Sequence, residues 1–169
     1  MIFISHILAG IFGLKLLSMF SVSVEFNQFT ILIAAVASLL PDVGVLIHDM
    51  KHHHGPSHSP LVWLIISVMA IVLNFQIGLV LFVAITLHLI TDWFTARLSG
   101  LPLLWPFSKT KYSVYRTADD DKGNYDLRKK LKKADRKRLL ESYYENKILL
   151  GFEFLIACLG LLSILTLIV

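Results

Sequence analysis

The residues of this chain that could do chemistry are histidines and aspartates set at the edges of oily sequence. His6 stands near the start of a long apolar run. Asp42 follows Pro41 in "SLLPDVG", and five of the seven histidines fall within the eleven residues His48 to His58. Further on, "HLITD" spaces His88 and Asp92 at i, i+4, which puts them on one helix face a turn apart. Imidazole nitrogen with carboxylate oxygen is the donor mix that suits zinc, manganese or iron. The candidate ligands His6, Asp42, His53, His58, His88 and Asp92 exceed the needs of one tetrahedral ion. They would serve one ion or two, a pair lying about 3.5–4 Å apart. An ion there would lower the pKa of a water towards about 7 and polarise a phosphoryl or carbonyl oxygen.

In that chemistry Asp92 and Asp42 are the candidate catalytic carboxylates. Asp92 could instead orient the His88 imidazole, since a metal-bound histidine usually donates its other N–H. Arg97, just beyond Asp92, could grip a phosphate bidentately or anchor the chain at an interface. Ser59, beside His58, is a candidate substrate contact; with Thr91 it also suits local hydrogen bonding. Each residue has a plain structural reading as well: an interfacial histidine, a turn aspartate after proline, a solvated "HHH" loop. The His88/Asp92 pair resists that reading most, because polar groups inside an apolar helix are costly.

Something must hold these groups together. Of the 169 residues, 56% are apolar and 17% charged, against about 45–50% and about 25% in soluble domains. Lipid is the simplest surrounding for that excess. A bilayer core needs about 20 helical residues, and five apolar segments are candidates: Ile2–Val22, Phe26–Leu40, Leu61–Phe75, Ile77–Phe94 and Ile148–Val169. The fold expected is all-α, an integral membrane bundle of about five helices with a basic helical cytoplasmic section before the last. Its divisions are a metal-site helical domain over 1–107, a basic cytoplasmic segment over 108–147 and a C-terminal transmembrane helix over 148–169.

The positive-inside rule gives these segments an orientation. With the polar section Ser108–Lys147 in the cytoplasm, fifteen of the sixteen Lys and Arg residues fall inside or at the boundary, Lys15 being the exception. The "SVEFNQ" and "NFQIG" connections, free of Lys and Arg, lie outside. The N-terminus is then inside and the C-terminus outside. His6, Asp42, His58 and the His88/Asp92 pair, carried by four segments, all reach the cytoplasmic face.

Other chemistries lack their signatures. Cys158 is the single cysteine, which excludes an internal disulfide and disfavours a thiolate site. Neither a G-x-S-x-G elbow nor an H-E-x-x-H helix occurs. "ADDDKGNYD" misses the calcium-loop spacing, with Gly123 one place early. "RKKLKKADRKR", Arg128 to Arg138, carries eight positive charges and one negative. It reads as a segment on anionic headgroups; nucleic acid is the alternative partner, but no recognition motif accompanies it.

"SLLPDVG", "HHHGPSHSP" and "HLITDWFTARLSGLPLLWPFS" resemble the membrane-bound metal-dependent hydrolase family of inner-membrane proteins, often called LexA-regulated or YdjM-like. Its pattern is an N-terminal His, a P-D-[IV]-D turn, an H-R-G-x-T-H-S loop and an H-x-x-x-D helix followed by Gly and a "P-F" tail. The matching positions are His6, Asp42, His53 with Gly55, His58 with Ser59, His88 with Asp92, and Gly100 before "LLWPFS". Two positions depart: Gly44 stands for the second turn aspartate, and His54 for the loop arginine, which leaves His52, His53 and His54 open as the loop ligand. The resemblance covers roughly the first 110 residues and implies a metal-dependent hydrolase of a prokaryotic-type inner membrane. A more distant likeness to zinc-dependent phospholipase C points towards phosphoesters, and a site at the membrane boundary favours a lipid-like substrate. The competing classes are a divalent-cation transporter, which predicts mid-bilayer ligands and repeated halves, and a non-catalytic metal-binding membrane protein.

Overall fold

The apolar runs fold as helices, and the places where they stop are set by single polar or proline residues. A computed structural model describes residues 3–20, 23–47, 56–95, 101–108, 112 and 147–166. Helix α1 spans Phe3–Phe20, α2 Gln28–Ala37, α3 Leu40–Ile47, α4 Pro60–Leu73, α5 Phe75–Thr95 and α6 Lys147–Leu165, with a 3₁₀ turn at Pro56–His58. Among the described residues the only strand-like feature is an isolated antiparallel bridge between Leu101 and Tyr112.

Asn27 starts α2 through a reciprocal cap. Its side chain accepts from the Thr30 N–H at 3.0 Å, and the Thr30 hydroxyl accepts from the Asn27 N–H at 3.1 Å. The second apolar segment does not run on to Leu40 as a single helix. Ser38 turns its hydroxyl back onto the Ala34 carbonyl at 2.7 Å, and Pro41, without an N–H, cannot extend the helix it would enter. Pro41 instead sits in the first turn of a new helix, where proline is tolerated, and Asp42 follows in that same turn of α3. Asp42 therefore begins a helix; it does not end one. Asn74 alone separates α4 from α5. Its N–H closes α4 on the Ala70 carbonyl, and its side chain accepts from the Ile77 N–H at 3.0 Å.

Helix α5 is the axis of the bundle, packing on α1, α2 and α4, while α6 lies against α1. Leu14, Ala34, Ala37, Val80, Ala84 and Ile85 form the centre of the core. Gly10 makes the α1–α2 crossing possible: a Cβ there would lie 1.9 Å from the Ser38 hydroxyl oxygen. Outward-facing side chains remain strongly apolar, with Val72 80%, Leu73 85% and Phe154 73% exposed. Such surface asks for an apolar surrounding.

Among the described residues, Phe75–Phe94 is the helix long and apolar enough to cross a membrane by length and composition. Ile4–Phe20, Gln28–Ala37, Pro60–Leu73 and Leu150–Leu165 are apolar over shorter stretches. The basic run Arg128–Arg138 and most of the 108–147 segment lie outside the described residues.

Candidate metal centre

Three separate pieces of chain meet at one place. The first turn of α3 supplies Asp42, the 3₁₀ turn supplies His58, and the last two turns of α5 supply His88 and Asp92. One donor atom from each of these four residues lies within 4.8 Å of the others, a group that could hold a metal ion. His58 Nε2 is 3.3 Å from Asp42 Oδ1 and 3.4 Å from Asp92 Oδ2. His88 Nε2 is 3.2 Å from Asp92 Oδ2 and 3.8 Å from Asp42 Oδ1.

The orientation of His88 tests whether a cation fits. Its Nδ1 lies 2.6 Å from the Ser38 carbonyl oxygen. A carbonyl can only accept, so Nδ1 carries the proton. Nε2, on the far side of the ring, is the atom aimed at the two carboxylates. It is buried, and no protein group gives it a hydrogen bond. One imidazole nitrogen spent on a backbone carbonyl and the other left for an ion is the usual arrangement of a ligating histidine. The donor set of two imidazoles and two carboxylates fits zinc, manganese or iron.

Burial alone would lower the pKa of His58, but its short polar contacts with Asp42 and Asp92 outweigh burial and hold it up at about 9. Burial raises Asp42, yet the contact with His58 and the charge of His88 bring it below its ordinary value. The metal-free cluster is thus a tight set of opposite charges, with a proton on His58 standing where an ion would compete.

His6 comes from the first turns of α1 and takes a different position. It is stacked on His88, ring centroids 4.0 Å apart, and its Nε2 lies 3.2 Å from Asp92 Oδ1. The Thr91 hydroxyl is 3.2 Å from His6 Nδ1 and donates to the His88 carbonyl at 2.8 Å. His6 therefore touches Asp92 from outside the four-residue group. Ser59 is fully buried, and its hydroxyl donates to the Trp105 carbonyl at 3.1 Å. That bond ties the "LLWPFS" loop to the turn that carries His58. His53 and Arg97 lie outside the described residues.

Sequence reasoning did not find the Ser38 carbonyl, because a backbone oxygen carries no residue signature. The "SLLP" pattern, a serine before a proline-led helix, was the available signal. It also missed the Trp105 loop as a clasp; only the order Gly100, "LLWPFS" hinted at it.

No curated protein and no solved structure matches this chain. The model of the family described as YdjM inner membrane protein matches residues 1–165, so it takes in α6 as well as the cluster-bearing helices. With a match spanning nearly its whole length, the chain belongs to the YdjM inner membrane protein family.

Proposed function

We propose that this protein is an integral-membrane, metal-dependent hydrolase whose site faces the cytosol and acts on a phosphoester of a lipid-like molecule. The observation that carries the reading is the pairing of a committed His88 Nδ1 with an Nε2 aimed between two carboxylates. Asp42, His58, His88 and Asp92 would hold the ion. A bound divalent cation supplies Lewis-acid polarisation of the substrate and acidification of water. Asp92, 3.2 Å from both His6 and His88 and 3.4 Å from His58, is placed to take the proton of an attacking water. His6 steadies that carboxylate, and Thr91 steadies His6. Asp42 balances charge across the site.

The cytosolic orientation is supported by the distribution of Lys and Arg. The helix ends agree with it, since the start of α1, the start of α4 and the end of α5 gather on one side. The lipid-like substrate follows from a polar site at one end of a strongly apolar bundle.

The test is a hydrolysis screen with full-length protein in vesicles, supplied with Zn²⁺ or Mn²⁺ and offered phospholipids, isoprenoid phosphates and generic phosphodiesters. Metal-dependent release of phosphate or alcohol is expected, with Asp92→Asn reducing it by about 10²-fold or more, as for loss of a general base. Absence of hydrolysis by metal-loaded protein, together with metal flux across the vesicles, would establish the transporter class instead.

A further inference from the structure

The chain does not leave the bundle where α5 ends. Residues 101–108 fold back along its flank, and Leu101 and Leu103 line a groove together with Pro60 and Trp63 of α4 and Leu89 and Trp93 of α5. Those partners belong to the helix turns beside the metal centre, so the loop lies at the level of the centre. It is fastened there. Leu101 and Pro102 are buried, and the Trp105 carbonyl accepts from the Ser59 hydroxyl at the start of α4, at 3.1 Å.

What this fastened loop turns outward is apolar. Leu104 is 53% and Phe107 86% exposed, with Pro106 exposed between them. Apolar side chains held outward in this way ask for an apolar surrounding. The backbone asks for little water. Pro102 and Pro106 have no N–H, and four of the remaining six N–H groups are paired with backbone carbonyls. Leu101 exchanges two bonds with Tyr112 at 2.7 and 2.9 Å, Leu103 donates to Leu101 at 2.9 Å, Trp105 to Pro102 at 3.2 Å and Ser108 to Leu104 at 2.9 Å. Irregular backbone is barred from the hydrocarbon core. The depth open to the loop is therefore the boundary of headgroups and acyl chains, where an apolar surface buries about 5–10 Å.

Two further observations mark that boundary. All three tryptophans of the chain, Trp63, Trp93 and Trp105, belong to this end of the bundle, and tryptophan is enriched where membrane meets water. Lys109 and Lys111 follow Phe107 in the sequence, and positive charge beside an apolar loop complements anionic headgroups.

We propose that the 101–108 loop is a membrane-inserting anchor, with Leu104 and Phe107 entering the leaflet on the side of the metal centre and fixing that centre at headgroup depth. The Ser59–Trp105 bond joins the loop to the turn carrying His58, so the depth of one sets the depth of the other. This anchoring requires that the chain lie in a membrane and does not depend on hydrolysis.

The experiment uses full-length protein carrying Cys158→Ser in vesicles of phosphatidylethanolamine and phosphatidylglycerol. Nitroxide labels are attached one at a time at Leu104→Cys and Phe107→Cys. Two references are Leu155→Cys, exposed on α6, and Glu25→Cys, exposed in the polar connection ahead of α2. Collisions with oxygen report lipid, and collisions with a water-soluble nickel chelate report water. At Leu104 and Phe107 the oxygen-to-nickel ratio should approach that at Leu155 and exceed that at Glu25 severalfold. A ratio equal to that at Glu25 at both positions overturns the proposal. Spin–spin broadening between copies does so as well, because a second copy of this chain would then cover the loop. Wild-type protein decides if a variant fails to fold. An aryl diazirine dissolved in the bilayer should label Leu104 or Phe107 as strongly as Leu155, and labelling confined to the helices overturns the proposal.

Discussion

Removing His88 isolates the contribution of one donor. His88→Ala takes away the Nε2 that faces Asp42 and Asp92 and leaves the other three donors in place. A four-donor zinc site contributes about 10–16 kcal/mol, so an even share for one donor is about 3 kcal/mol, or about two orders of magnitude in Kd. The substitution also strips the Ser38 carbonyl of its 2.6 Å partner and vacates a fully buried position, so some stability is lost with the affinity. His88→Gln separates the two effects, since it fills more of the space. Competitive chelator titration of detergent-purified protein gives the affinity, and circular dichroism confirms that each variant keeps its helices. Both variants should bind zinc about a hundredfold more weakly. Helical variants that bind zinc with wild-type affinity would show that the inward-facing nitrogen is irrelevant to the ion.

Further outcomes follow from the same geometry. Thr91→Val removes the hydroxyl beside His6 Nδ1 and should cost about tenfold in metal affinity, the lower range for a group that orients its neighbours. For pH, the His58 pKa of about 9 lies above the ordinary value of about 6.5. The metal-free chain therefore carries stability that is fully present below about pH 6.5 and is lost as pH rises through about 9. Zinc affinity should move the opposite way across that window, since the ion displaces the His58 proton; thermal shifts with chelator and with zinc, read side by side, check both slopes. Gly160→Val should lower the melting temperature. A Cβ at Gly160 would lie 2.6 Å from Leu8 Cβ, and overpacking of this kind costs about 1–3 kcal/mol. Gly151→Ala, with nothing within 4 Å of the added carbon, is the control and should not lower it, alanine being the better helix former. A cysteine placed at Asn74, between α4 and α5, should react with an impermeant thiol reagent from outside intact cells; protection there would reverse the proposed orientation.

The candidate site was legible wherever a polar side chain interrupts apolar sequence. Asp42, His58, His88 and Asp92 stand out because an isolated polar group in a lipid-like setting needs a partner, and the i, i+4 spacing of the last two fixes their shared face. Helical content was legible in the five apolar runs for the same reason. What escaped depends on backbone and loops. The break between α2 and α3 comes from Ser38 and Pro41 acting together, and the His88 anchor is a carbonyl whose residue identity is immaterial. The loop at Trp105 reaches Ser59 across 46 positions of sequence, a pairing no local pattern encodes. His6 was read as one ligand among six, whereas its place against Asp92 and His88 comes from how α1 crosses α5, a packing angle that hydropathy does not specify.

X-ray absorption at the metal edge of the purified full-length protein shows whether Asp42, His58, His88 and Asp92 hold a divalent ion. After zinc loading and removal of excess metal, one tightly held ion with nitrogen and oxygen neighbours at about 2.0–2.2 Å is expected. The outer-shell scattering should be that of two imidazoles, and it should fall to one in His88→Gln. An ion surrounded by oxygen alone, or protein that retains no metal, would contradict the four-residue site.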